Sequence, residues 1–181
     1  MSLSLRRSAW LAVLFALAFG VTRVGAADTQ RVPLGQGALR APRGSWKAIG
    51  VPPGSILIDL LDARGMKIQT YGTSFGRLAP RGLDAYGFRP PALPTRHALL
   101  AGAAGSQIRK VKIHIKGGTT RTVRTTPSPP DWELSSNRLF ALGLTIPARF
   151  KNALRVVTKI EGLSASGRVV ATLRRVATGA Y

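Results

Sequence analysis

The strongest constraint in this chain is a unit that occurs three times: a short apolar run, a turn closing on glycine, and a second run. Ser55–Leu61 (SILIDLL) leads through Asp62-Ala63-Arg64-Gly65 into Met66–Tyr71 (MKIQTY). Ile108–Lys116 (IRKVKIHIK) leads through Gly117-Gly118 into Thr119–Thr125 (TTRTVRT). Leu154–Gly162 (LRVVTKIEG) leads through Ser164-Ala165-Ser166-Gly167 into Arg168–Val176 (RVVATLRRV). Two runs bounded by such a turn predict a β-hairpin. Gly-Gly suits a two-residue hairpin turn because both central positions take positive φ. In the other two units the final glycine supplies the left-handed residue that closes a longer turn.

Side-chain alternation supports the same reading. Val111, Ile113 and Ile115 fall on one face, and Lys110, Lys112, His114 and Lys116 on the other, the period of two of a half-buried strand. Leu154, Val156, Thr158 and Ile160 alternate likewise with Arg155, Val157 and Lys159. Further strands are expected at His97–Ala101 and Arg138–Leu144. Only Leu99–Ala104 and Pro147–Asn152 could host a turn of helix. Gly72–Arg96 is dense in Gly, Pro and Arg, and prolines 80, 90, 91 and 94 bar a central strand there. It reads as a long crossing loop whose Phe75, Tyr86 and Phe88 form either a lid on the core or a contact surface. Thr126–Pro130 (TPSPP) is a second stiff link. Seven to nine short strands with Gly/Pro-rich loops and almost no helix predict an all-β, antiparallel β-sandwich, as a single domain over residues 45–177.

Three stretches, VKIHIKGGTTRTV, ALRVVTKIEGLSASGRVVATL and IPARF, carry a resemblance. Residues 97–177 resemble immunoglobulin-like or fibronectin-type-III-like modules of bacterial exported proteins. The resemblance implies an immunoglobulin-like sandwich. It transfers no active site, since those modules share no catalytic residues. The immunoglobulin cysteine pair is missing, because the chain has no cysteine at all.

Residues 1–26 (MSLSLRRSAWLAVLFALAFGVTRVGA) have the layout of a secretory signal peptide: Arg6 and Arg7, an apolar run from Ala9 to Val21, and small residues at Val24 and Ala26. The run is shorter than the roughly 20 residues that span a bilayer. Export with cleavage near Ala26 is therefore expected, giving a secreted or periplasmic, cell-envelope protein of bacterial type. Ala27–Gly44 mixes Gly, Pro and Arg without period and reads as a flexible lead-in.

The chemistry that residue types allow is narrow. Absence of cysteine excludes disulfide frameworks, Cys-ligated metals and thiol nucleophiles. The two histidines, His97 and His114, lie far apart in sequence, with no adjoining cluster of acids to make a metal site. Asp131 and Glu133 bracket Trp132 and, in an extended segment, would share a face. No Gly-x-Ser-x-Gly and no phosphate-cradling glycine loop occurs. The expectation is a non-enzyme without cofactor or metal. The alternative is a secreted hydrolase pairing His97 or His114 with Asp131 or Glu133.

Charge is the remaining clue. Lysine and arginine number 27 against 7 acids, a formal net charge of +20. At 45% hydrophobic residues the chain is too apolar for a disordered polycation. Arg109, Lys110, Lys112, Lys116, Arg121 and Arg124 crowd one hairpin with no acid among them. If Val111, Ile113 and Ile115 are buried, Lys110, Lys112 and Lys116 stand in a row at about 6.6–7 Å per two residues along one strand. That face could meet anionic envelope polymers or a phospholipid surface. Basicity spread evenly over the surface is the bland reading. Nucleic-acid binding is a further alternative, disfavoured by export and by the scarcity of aromatic residues among the basic ones.

Overall fold

The computed structural model describes residues 30–39, 44–89, 97–145, 154–174 and 176–178. The expected signal peptide lies outside them. Within them, β1 (Val32–Leu39), β2 (Gly44–Val51), β3 (Ser55–Asp62) and β4 (Lys67–Ser74) pair antiparallel in chain order as a first sheet. The alternation in β3 is converted directly into two faces. Ile56, Ile58 and Leu60 are buried, while Asp59 stands on the other side opposite Lys47 of β2. The β3–β4 turn is closed by the Asp62 carboxylate, which accepts the backbone N–H groups of Arg64 at 2.8 Å and Met66 at 2.9 Å.

The chain continues through β5 (Leu83–Phe88), β6 (His97–Ala104), β7 (Lys110–Ile115), β8 (Thr119–Arg124), β9 (Thr126–Pro127) and β10 (Arg138–Thr145). A 3-10 turn at Leu154–Val156 precedes β11 (Val157–Leu163), β12 (Val169–Leu173) and β13 (Ala177–Thr178). A middle sheet has the order β13-β5-β6-β10-β9, and a third sheet the order β12-β11-β7-β8. Every pairing is antiparallel except β13 on β5.

The architecture is an all-β sandwich extended to three layers, because the middle sheet is buried on both faces. Leu99, Ala101 and Ala103 of β6, with Leu139 and Ala141 of β10, join Trp46, Ile56, Ile58 and Leu60 of the first sheet in one core. Their strand neighbours Ala98, Leu100, Ala104, Phe140 and Leu144 join Val111, Ile113, Ile115 and Ile160 of the third sheet in a second. A strand facing two cores has no polar side to alternate with, which explains the continuous apolar run HALLAGAA.

Several expectations change. The lead-in read over residues 27–44 supplies an edge strand, β1, whose Leu34 and Leu39 enter the first core. Leu99–Ala104 is strand, its small apolar residues fitting between two layers. Pro147–Asn152 lies outside the described residues. The segment read as a long crossing loop ends β4 and contains β5. Its Phe75 and Phe88 are buried in the first core, with Tyr86 packed against it. The three expected hairpins form, but Ile115 pairs with Thr119, so the middle turn is a three-residue loop, Lys116-Gly117-Gly118. Both glycines take positive φ, 94° and 85°.

Candidate anion-binding face

The outer face of the third sheet follows from register. Val111 and Ile113 point into the second core, so Lys110, Lys112 and His114 point out. On β8, Arg124 stands opposite Lys110, Thr122 opposite Lys112 and Thr120 opposite His114. On β11, Lys159 stands opposite His114 and Glu161 opposite Lys112.

Of the six basic residues singled out from sequence, the fold therefore gathers Lys110, Lys112 and Arg124. Lys116 is exposed in the turn at the end of the same strand. Arg121 lies opposite inward-facing Ile113 and leaves β8 on the other side of the sheet. Arg109 precedes β7 and acts on Arg138, whose pKa is lowered first by its own burial and then by the Arg109 charge. Arg138 is committed to Thr125, donating from Nε to the hydroxyl at 2.7 Å and from a terminal nitrogen to the carbonyl at 2.8 Å.

Among the described residues the one acid on this face is Glu161, whose place beside His114 sequence reasoning did not foresee. Glu161 is held between two partners, with His114 Nε2 2.6 Å from Oε2 and Lys159 Nζ donating to Oε1 at 2.6 Å. The Lys159 and His114 hydrogen bonds hold its carboxyl below the usual carboxylate range, against the opposing effect of burial. Glu161 thus neutralises Lys159 and makes no ion pair with Lys112 opposite. The signal for this contact was the pairing of β7 with β11 across 47 residues, which neither strand reveals alone.

The remaining acids lie elsewhere. Asp59 pairs with Lys67 at 3.8 Å on the first sheet, and Asp84 belongs to the middle sheet. On the first sheet one acid, Asp59, stands opposite Lys47 and beside Lys67, whereas on the third sheet Lys110 and Arg124 stand opposite each other.

Asp131 and Glu133 are exposed on a turn around buried Trp132, and neither bonds to a histidine. Among the described residues no group of three His, Asp or Glu could hold a metal ion. The His114 imidazole meets the Glu161 carboxylate, and His97 Nδ1 lies 3.0 Å from the Thr145 hydroxyl.

No protein-family model, curated protein or solved structure matches the chain.

Proposed function

We propose that this chain is an exported, non-catalytic, immunoglobulin-like module with a binding role at the cell envelope. In this reading the outer face of the third sheet contacts anionic envelope polymers. Strand order supports the immunoglobulin-like part, and the core tryptophan departs from it. Strands β5-β6-β10-β9 face β12-β11-β7-β8, the ABED sheet against the GFC sheet with an added C′ strand. The usual core tryptophan of the third strand is replaced, since β7 carries none and Trp132 sits in the turn before β10. The first sheet covers the ABED side, and among the described residues no sheet packs on the outer face of the GFC side.

The observation that carries the binding role is Lys110 opposite Arg124. Like charges directly across a strand pair are destabilising, and no carboxylate relieves this pair. A role in meeting polyanions accounts for keeping them. Lack of aromatic side chains on the face favours a flexible polyanion over a stacked nucleic acid strand.

The test is retention of the folded chain on immobilised polyphosphate at low salt. Changing Lys110, Lys112 and Arg124 together to Glu should abolish it, while Lys47→Glu on the first sheet should not. Equal retention of the triple variant and the parent would remove this reading.

A further inference from the structure

The end of the molecule where Leu163 pairs with Lys110 holds a recess of about 330 Å³, lined by Arg81, Gln107, Ser164, Ser166, Arg168 and two valines. Three loops make it: the β4–β5 crossover, the β6–β7 link and the β11–β12 hairpin. We infer that this recess binds a phosphate or sulfate monoester.

The first two loops are locked together by backbone. Gly82 N–H donates to Ala79 O at 2.7 Å, Gly105 N–H to Gly82 O at 2.8 Å, and Gln107 N–H to Pro80 O at 3.0 Å. The approach is so close that a Cβ on Gly105 would stand 2.0 Å from Ala79 O. Arg81 and Gln107 are thereby set side by side, and Arg81 Nε donates to Gln107 Oε1 at 3.0 Å. That bond uses the carboxamide's acceptor and orients its amino group and the terminal nitrogens of Arg81 as donors.

The hairpin supplies the other wall. Ser164 Oγ accepts the Arg168 N–H at 3.2 Å and lies 2.9 Å from Ser166 Oγ, so the turn holds both hydroxyls together. The Arg168 guanidinium has no hydrogen bond or ion pair among the described residues, and no acid lines the recess. Two guanidinium groups, one amide and one hydroxyl, the other hydroxyl's proton being used between Ser164 and Ser166, offer donors for the three terminal oxygens of a tetrahedral oxyanion. Val169, 52% exposed, and Val170 give an apolar wall for the carbon side of an ester. The volume lies at the small end of ligand sites, matching a small ester and not an extended polymer.

This site is independent of the outer-face reading. The test is chemical-shift titration of the full chain with inorganic phosphate, inorganic sulfate and glycerol phosphate, each against chloride at matched ionic strength. Saturable shifts in residues 164–168 are expected, with glycerol phosphate several-fold tighter than inorganic phosphate. Equal affinities would assign the recess to the free oxyanion and overturn the ester. The exposed substitutions Arg81→Gln and Arg168→Gln should each weaken binding at least tenfold with an unchanged melting temperature in the absence of the anion. Arg168→Lys should recover only part of it, because a point charge lacks the guanidinium fork. Lys112→Glu with Arg124→Glu should keep a saturable response. The inference is overturned if chloride gives the same shifts, or if the Arg81 and Arg168 variants bind as the parent does. It is also overturned if the response disappears only in the Lys112 and Arg124 variant.

Discussion

The imidazole of His114 and the carboxylate of Glu161 meet at 2.6 Å across the β7–β11 pairing, and Lys159 closes on the other oxygen of the same carboxylate. This three-residue contact is the only place on the outer face of the third sheet, among the described residues, where positive charge is answered. Glu161 gives that sheet a pH dependence on the acid side.

Glu161→Gln should cost about 1.5 kcal/mol near neutral pH, the scale of a hydrogen bond to a charged group. Since the folded carboxyl titrates below its unfolded value, the stabilisation is fully present above the unfolded pKa of about 4.3. It is lost as pH falls through the lowered folded pKa. Urea unfolding of parent and variant between pH 3 and pH 7 should show curves that converge only at the acidic end. A difference that stays constant down to pH 3 would contradict the assignment.

Lys110→Glu should move stability and binding in opposite directions. Replacing a like-charge pair by Glu opposite Arg124 should add about 0.5 kcal/mol of stability. The same change should weaken polyphosphate retention. Thermal unfolding and retention measured on one preparation check both signs.

Asn137 is fully buried and ties two loops together. Its Oδ1 accepts the Leu78 N–H at 3.0 Å, and its Nδ2 donates to the Gly76 carbonyl at 2.9 Å. Asn137→Ala strands both backbone groups and should cost about 3 kcal/mol. Asn137→Asp keeps the acceptor but turns a carboxylate oxygen toward the Gly76 carbonyl, so it should be no better. Denaturant midpoints rank the three proteins.

Gly102 of β6 lies under the ring of Phe140, where an added Cβ would stand 2.2 Å from Cζ and 2.6 Å from the Asp84 carbonyl. Gly102→Ala should therefore cost about 3 kcal/mol by overpacking. Combining it with Phe140→Leu should cost less than the sum of the two, because the ring is half of the clash. A double-mutant cycle by urea unfolding reads the coupling.

The outcome of reading the chain from its residues depended on where each strand sits. β7 and β8 were legible because one face meets water, so Val111 and Ile113 alternate with Lys110 and Lys112. β6 was only half legible, since His97–Ala101 was expected but Leu99–Ala104 also allowed helix. With a core on each side, its alanines and leucines show no period. β1 was missed because Pro33, Gly35 and Gly37 mimic loop composition, and its strand character comes from pairing with β2. The basic row was visible in part. Lys110 and Lys112 follow from alternation within one strand, whereas Arg124, Lys159 and Glu161 reach the face through registers that no single strand encodes.

The middle sheet, finally, is a wall shared by two cores. Neither the 32–74 portion nor the 83–178 portion can leave without baring one side of it. An excised 83–178 fragment would present Leu99, Ala101, Leu139 and Ala141 to water, an apolar patch that invites self-association. The whole described region should therefore unfold as one cooperative unit, with the slowest-exchanging amides in β6 and β10.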